Sequence, residues 1–267
     1  MSKIALIVGG TGGLGRATAL LLAQKDCTVI VAGRNASKGD EVVSAIRSAR
    51  GTACFIPVDL SDRQSIRDLH AQVQRDHGGR LDIAVNAAGV LGPIARTHEV
   101  QESELDALLA VNVTGFYLSM QEQIKLMLAS GSQPVADGEG SSKRHIVNLA
   151  SIYGVQGCPY GSAYSASKHA VLGMTRSAAI ECAPKGIYVN ALAPGIIPTE
   201  IVGELGAKVA ALEGEEHAWM KSLDLLSLYP AGRFGRPEDV ARAVAFVVEN
   251  DWMVGSVVQM DGGYGVF

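Results

Sequence analysis

Ile4-Ala5-Leu6-Ile7-Val8 runs without a break into Gly9-Gly10-Thr11-Gly12-Gly13-Leu14-Gly15, and this stretch decides the fold. A short apolar run ending in clustered glycines reads as a first strand turning tightly into a first helix, Gly13–Gln24. Glycine permits positive φ and lets an anion come close to the backbone, and the helix start presents N–H groups with no partner inside the helix. Such a turn suits a pyrophosphate; a tight strand–helix turn that binds nothing is the competing reading. Gly9, Gly13 and Gly15 fit G-x-x-x-G-x-G, whereas Gly9, Gly12 and Gly15 fit G-x-x-G-x-x-G. Chain length and the motifs described below favour the first.

Outward from this turn, short β-rich runs alternate with longer helical patterns. Strands are expected at Ile4–Val8, Thr28–Val31, Ala53–Pro57, Asp82–Asn86, His145–Ala150, Ile187–Leu192 and Ser256–Met260. Helices are expected at Gly13–Gln24, Lys38–Ala49, Asp62–Arg75, Glu102–Leu128, Ala163–Cys182 and Pro237–Val248. Each strand–helix–strand step is long enough for a right-handed parallel crossover, so the pattern predicts one doubly wound α/β sheet. Two segments break the rhythm. Ser130–Lys143 is rich in Gly and Ser and reads as an exposed, mobile loop. Pro198–Gly232 is longer than an ordinary connection and carries helical apolar spacing at Leu205, Val209 and Leu212, then at Trp219, Leu223 and Leu226. Following a strand's C-terminal end, it is placed as a substrate lid, with a purely structural helical satellite as the alternative.

The bulk properties agree with a single domain. Of 267 residues 48% are hydrophobic but only 5% aromatic, so the core must be mostly Ala, Val, Ile and Leu, as in a parallel sheet covered on both faces. A net charge of −4 and a pI near 5.9 favour neither nucleic acid nor an anionic membrane as partner. Cys27, Cys54, Cys158 and Cys182 lie far apart and form no C-x-x-C pair, so no metal or dithiol site is expected and a reducing compartment is the simplest reading. Met1-Ser2-Lys3 leads straight into the first strand without a signal-peptide pattern, and no apolar run reaches the roughly 18 residues of a spanning helix. A cytoplasmic protein is the resulting expectation.

The end of the second strand bears on which dinucleotide would bind. An acid there would bond a ribose 2′-hydroxyl and repel a 2′-phosphate, but the chain reads Val31-Ala32-Gly33-Arg34-Asn35. Arg34 can pair with a 2′-phosphate through its planar fork, and Thr11 can add a hydroxyl, which points to NADP(H). Arg34 stacked on adenine or facing solvent would leave NAD(H) as the alternative.

Further along, Tyr164 and Lys168 lie four apart at the start of a long helix and so share one face. A phenol of pKa about 10 is a poor proton carrier near neutrality, and a neighbouring ammonium is expected to lower that value. Thirteen residues before Tyr164, the strand at His145–Ala150 ends at Ser151, whose hydroxyl would sit at the C-terminal sheet edge beside a carbonyl oxygen.

These pieces stand in a recognisable order: the glycine turn, Val58-Asp59-Leu60, Asn86-Ala87-Ala88-Gly89, Asn112-Val113, Ser151, Tyr164-x-x-x-Lys168, Pro194-Gly195 and Asp261-Gly262-Gly263. In them the chain resembles the short-chain dehydrogenase/reductase (SDR) family over essentially its full length. The resemblance implies a single-domain Rossmann fold and an oxidoreductase that moves hydride between a nicotinamide cofactor and a ketone or secondary alcohol. It implies a catalytic set of Asn112, Ser151, Tyr164 and Lys168, with Asn112 holding a water that links Lys168 to solvent. It also implies cofactor contacts at Gly9, Thr11, Gly13, Leu14, Gly15, Arg34, Asp59, Leu60, Asn86, Gly89, Tyr164, Lys168, Pro194, Gly195, Ile197 and Thr199. Among these Asp59 would recognise adenine, Asn86 and Gly89 would line the adenosine side, the Ile197 backbone would orient the carboxamide and Thr199 would touch the pyrophosphate. A homotetramer, or failing that a homodimer, would form through Glu102–Leu128 and Ala163–Cys182. Two positions depart from the family pattern: Val8 stands where Thr is usual and Ala87 where a second Asn is usual. Altered backbone hydrogen bonding is expected there, without loss of chemistry.

A dinucleotide-sensing protein that kept the fold and lost catalysis is the reading from a different class; a complete Asn112, Ser151, Tyr164 and Lys168 set argues against it. The same pocket could also serve imine reduction or cyclisation. Tyr153, Cys158, Tyr160, Trp219 and Leu223 predict an apolar, partly aromatic pocket that a steroid, polyketide, quinone or fatty-acyl ketone would suit.

Overall fold

A computed structural model describes residues 2–130 and 143–266, so the Gly/Ser-rich stretch expected to form a loop lies, over 131–142, outside the described residues. The strands are β1 (Ile4–Val8), β2 (Thr28–Gly33), β3 (Thr52–Pro57), β4 (Ile83–Asn86), β5 (Arg144–Leu149), β6 (Ile187–Pro194) and β7 (Val257–Met260). They form one sheet in the order β3-β2-β1-β4-β5-β6-β7, and all neighbours are parallel. The order reverses between β1 and β4, where the strand ends open a crevice.

Period-two alternation divides β1 between two cores. Leu6 and Val8 pack on one face with Ile30, Leu69, Val73 and Met127, whereas Ala5 and Ile7 pack on the other with Val29, Leu22, Val42 and Val244. The first layer is supplied by α3 (Arg63–His77), α5 (Phe116–Ala129) and α6 (Ser162–Cys182), the second by α1 (Gly13–Gln24), α2 (Ala36–Ser48) and α9 (Pro237–Val248). Burial on both faces explains why no described strand before β7 reads as a simple apolar/polar alternation. Helix starts follow local chemistry: Asn35 accepts from Lys38 N at 3.0 Å, and Asp62 accepts from Gln64 N at 2.7 Å.

One expected helix is interrupted. Instead of a continuous Glu102–Leu128, α4 (Glu102–Leu109) and α5 are joined by a π-helical segment, Ala110–Gly115. Gly115 lies against the loop after β3, where an added Cβ would come within 1.9 Å of the Leu60 carbonyl oxygen. The wide turn also carries Asn112, which is buried; π-bulges occur often at functional sites.

The segment after β6 folds as α7 (Glu200–Ala210), the short α8 (Ala218–Lys221) and 3₁₀ turns. None of the α7 residues is buried. Its Ile201, Val202, Leu205 and Val209 instead line an open cavity above the sheet edge.

Candidate active site

Two cavities meet at the carboxyl ends of the strands. The smaller, about 250 Å³, lies over the glycine turn and the ends of β2 and β3; the larger, about 650 Å³, lies between the ends of β5 and β6 and the segment 199–225. Leu14, Thr199 and Ile201 line both, so the two are continuous.

The smaller cavity fits a dinucleotide's phosphates. Gly9 has φ +87°, and a Cβ there would meet Ala88 N at 2.5 Å; a Cβ at Gly15 would come within 2.1 Å of the Gly9 carbonyl oxygen. Gly13 has φ +48° and faces Thr199 Cγ2, whereas the extended Gly12 at the helix cap has open space around it. The conformations therefore support G-x-x-x-G-x-G: Gly9, Gly13 and Gly15 are constrained, and Gly12 is not. No side chain caps the start of α1, which leaves its first N–H groups directed at this cavity. The two departures from the family pattern are absorbed by backbone, since Ala87 N donates to Val8 O at 2.8 Å and Gly9 N to Ala32 O at 2.8 Å.

Around this turn, Arg34 is exposed on the cavity wall and forms no hydrogen bond or ion pair among the described residues. Asp59 lines the same wall; the Ser61 hydroxyl and N–H at 2.7 and 2.8 Å hold its carboxyl below the usual range. Leu60 and Gly89 are also on this wall. Thr11 closes over Gly33, where an added Cβ would meet Thr11 Cγ2 at 2.7 Å. A side chain at position 33 would therefore require Thr11 to turn away.

Asn86 is a correction. Its side chain is buried beneath the sheet, donating to Gln123 Oε1 and Asn148 Oδ1 at 2.9 Å each and accepting from Gln123 Nε2 at 2.7 Å. A polar residue at a strand end can face the cavity or the helices below. Here the amide of Gln123 on α5 claims it, and the Asn86 side chain is turned away from the smaller cavity.

Of the expected catalytic groups, Ser151 and Tyr164 line the larger cavity, and Lys168 and Asn112 stand behind that wall. Ser151 ends the β5 run, caps the following 3₁₀ turn by accepting from Tyr153 N at 3.2 Å, and reaches the cavity wall. Tyr164, on the first turn of α6, lines the same cavity and is hydrogen-bonded to Ser151. One turn further on, Lys168 Nζ donates to Leu149 O at 3.0 Å and lies 5.7 Å from the centre of the Tyr164 ring. Asn112 meets them from the π-turn, accepting from Val90 N at 2.9 Å and donating to Val90 O at 2.8 Å. A Cβ at Gly89 would sit 3.3 Å from Asn112 Oδ1 and 3.5 Å from Lys168 Nζ, so the small residue lies between the two groups. Pro194, Gly195, Ile197 and Thr199 continue the wall beyond β6.

The electrostatics differ from the expectation drawn from spacing. The Tyr164 phenol is not lowered: desolvation on the cavity floor pushes it up to about 12, against an opposing hydrogen bond from Ser151. The ammonium that was expected to lower it is itself desolvated, and Lys168 is brought down to about 8. Tyr164 is therefore a neutral phenol near neutral pH, a proton donor in its resting form, and Lys168 titrates within reach of working pH.

Spacing did not single out Ser165 or Tyr229. Ser165 Oγ donates to Tyr153 O at 2.8 Å and Gln156 O at 3.1 Å, tying the turn after Ser151 to α6. Tyr229 Oη accepts from Ile196 N at 2.7 Å and so fixes the wall at Ile196–Ile197. Only their place near a motif could have suggested either. The aromatic wall is partly as expected, with Tyr153, Cys158, Trp219 and Leu223 on the cavity. Tyr160 stands behind it, hydrogen-bonded to His217 at 2.9 Å and ring-to-ring with Trp219 at 6.0 Å.

Comparison with known proteins fits this geometry. The short chain dehydrogenase family matches residues 3–210. The chain is 31% identical to a 3β-hydroxysteroid dehydrogenase of Mediterraneibacter gnavus, covering 99% of this chain and 95% of that one. It is 34% identical to a cis-4-hydroxycyclohexanecarboxylate dehydrogenase of Sinomonas cyclohexanicum, covering 98% and 96%. Its fold superposes on an actinorhodin polyketide ketoreductase variant solved with NADPH at a TM-score of 0.86, with 28% identity over 100% and 98% of the two chains. It likewise matches a 3-ketoacyl-(acyl-carrier-protein) reductase of Brucella melitensis solved with NADH at 0.82, with 26% identity over 98% of each.

Proposed function

The chain belongs to the short chain dehydrogenase family, and from that premise we propose that it transfers hydride between NADP(H) and the carbonyl or carbinol carbon of an apolar, ring-bearing small molecule. The observation that carries this reading is the convergence of Ser151, Tyr164, Lys168 and Asn112 beside a cavity continuous with the glycine turn. Relatives named for a steroid and for a substituted cyclohexane support a ring, and the apolar cavity walls suit one.

The cofactor's phosphates would lie on Gly9–Gly15 and the α1 start, with Thr199 at their far side; its 2′-phosphate would meet Arg34 and Thr11. Asp59, Leu60 and Gly89 would line the adenosine side, and Pro194, Gly195 and the Ile197 backbone the nicotinamide side. When bound, the nicotinamide supplies or accepts the hydride. Ser151 orients the substrate oxygen, and Tyr164 gives it a proton during reduction or removes one during oxidation. Lys168 holds charge beside the phenol, and Asn112 braces the backbone at Val90 beside it. Consumption of NADPH with a panel of cyclic ketones tests the activity, and its pH profile tests the assignment. Lys168 is protonated below about 8 and neutral above, so ketone reduction is expected to fall, and alcohol oxidation to rise, as pH passes about 8. A Lys168→Met protein is expected to lose that inflection; an unchanged profile would remove Lys168 from the proton path.

Residues 198–232 serve as the lid in this reading. Lys208 Nζ donates to Gly92 O at 2.6 Å and His217 bonds Tyr160, two contacts that hold the segment over the cavity without burying α7 in a core. Backbone amides of α7 are expected to exchange faster than those of the sheet in the free protein and to slow when cofactor and a ketone analogue bind. Equal, high protection in both states would make the segment a fixed satellite. We propose further a homotetramer, with a dimer as the alternative, through α4–α5 and α6. Exposed Tyr117 (48%) and Ile180 (77%) on these helices support it, and a monomer mass in light scattering would contradict it.

A further inference from the structure

We propose that the hydroxyls of Tyr153 and Tyr264 form a second polar pole in the substrate cavity, which binds a second uncharged oxygen of the substrate. The preferred substrates are then rings oxygenated twice: diketones, hydroxyketones or diols. This rests on the reductase reading above and specifies which substrates the site takes.

Most of the cavity wall is apolar, built from residues such as Leu91, Ile94, Ile152, Val202, Leu205 and Leu223. Ser151 and Tyr164 form one polar place on it, and Tyr153 and Tyr264 form another. Tyr153 follows Ser151 by two residues, and its N–H is bonded to Ser151 Oγ at 3.2 Å, so its backbone is fixed to the catalytic serine. The same turn is held from below by Ser165, which bonds Tyr153 O. Tyr264 comes from the C-terminal segment. Its N–H donates to Asp261 O at 3.1 Å, and its ring rests on Tyr229 with centroids 5.2 Å apart. The rings of Tyr153 and Tyr264 then meet edge to face, 6.4 Å apart at 88°. Two side chains 111 residues apart in sequence are thus placed with their hydroxyls together.

The hydroxyl–hydroxyl distance is 3.5 Å, the long limit of a hydrogen bond. A third oxygen placed between them could sit at about 2.7–2.8 Å from each and make two shorter bonds. The donor count agrees. Two phenols carry two protons, and a ligand oxygen between them accepts both once their long mutual contact is given up, a net gain of one hydrogen bond. The ligand oxygen is uncharged for two reasons. Burial raises the Tyr153 phenol far above its ordinary value and takes the neighbouring Cys158 thiol to about 11, so this corner carries no charge of its own. Lys221, on α8, is the one charged side chain among the described residues lining the cavity, and it belongs to the lid.

The experiment compares cyclohexanone, cyclohexane-1,4-dione and 4-oxocyclohexanecarboxylate as substrates, in wild type and in Tyr153→Phe, Tyr264→Phe and the double variant. Turnover of cyclohexanone reports on the reductase reading alone. The ratio of kcat/KM for dione over monoketone reports on the second pole. In wild type it is expected to exceed the statistical factor of two for two carbonyls by about three- to tenfold, the worth of one neutral hydrogen bond. In the double variant it is expected to return to about two, because phenylalanine keeps the ring packing and removes both hydroxyls. Calorimetric binding of the monoketone and dione to protein loaded with NADP⁺ reads the same preference even if turnover is absent. A wild-type ratio near two, a ratio unmoved in the double variant, or preference for the carboxylate would overturn the proposal, the last assigning the far end of the substrate to Lys221.

Discussion

Tyr164→Phe is expected to lower turnover by at least about a hundredfold while leaving the folded structure and the cofactor affinity intact. The substitution removes one oxygen and keeps the ring, so packing at the start of α6 is preserved. That oxygen lines the cavity, bonds Ser151, and belongs to a phenol held at about 12. A neutral phenol can donate to an alkoxide as it forms on the substrate, and Ser151 alone can orient that oxygen without supplying the proton relay. The loss should therefore appear in kcat, with NADPH titrating as in wild type. Near-normal turnover in a folded Tyr164→Phe protein would sink the mechanism.

The second large effect concerns cofactor choice. Arg34→Ala is expected to weaken NADPH by about ten- to a hundredfold at low salt and to change NADH little, as for loss of a charge-assisted bond to phosphate. Arg34 is exposed, so rising ionic strength should narrow the gap between the cofactors in wild type. Reversing the preference with an acid at position 33 is tested with two changes together. A Cβ there meets Thr11 Cγ2 at 2.7 Å and Oγ1 at 2.9 Å, so Gly33→Asp is combined with Thr11→Ala, which removes both atoms. Fluorescence titration of both cofactors reads these outcomes. Wild-type protein that binds NADH as tightly as NADPH at low salt would place Arg34 on adenine or in solvent and end the NADP assignment, with the reaction class untouched.

The parts of this architecture governed by local pattern were legible in the sequence. Seven apolar runs became seven parallel strands, and α1 and α9 occupy the expected ranges, because the run of buried residues and the Gly or Pro beside it act over a few positions. What spacing could not supply depends on the third dimension. The apolar periodicity of Glu102–Leu128 is continuous, and the wide turn that carries Asn112 goes with contacts distant in sequence, among them Gly115 against the Leu60 carbonyl and Asn112 against Val90. Asn86 ends a strand beside the cavity, but Gln123, 37 residues away, takes its amide into the core. The four-residue step from Tyr164 to Lys168 places the two on one face. Whether the ammonium or desolvation governs the phenol depends on what surrounds both, and desolvation wins. The choice of Gly13 over Gly12 rested on chain length and the later motifs, because the glycine spacing alone fits both, and φ at Gly13 agrees with it.

The central claim is that this cavity transfers hydride. The most direct measurement incubates wild-type protein with NADPH deuterated at the transferring position of the nicotinamide and a cyclic ketone, then determines the mass and position of label in the product. The account predicts an alcohol carrying one deuterium at the carbinol carbon, with formation slowed strongly in Tyr164→Phe. Protein that binds NADPH tightly yet returns every cyclic ketone unreduced and unlabelled would contradict it and leave a dinucleotide-sensing role in its place.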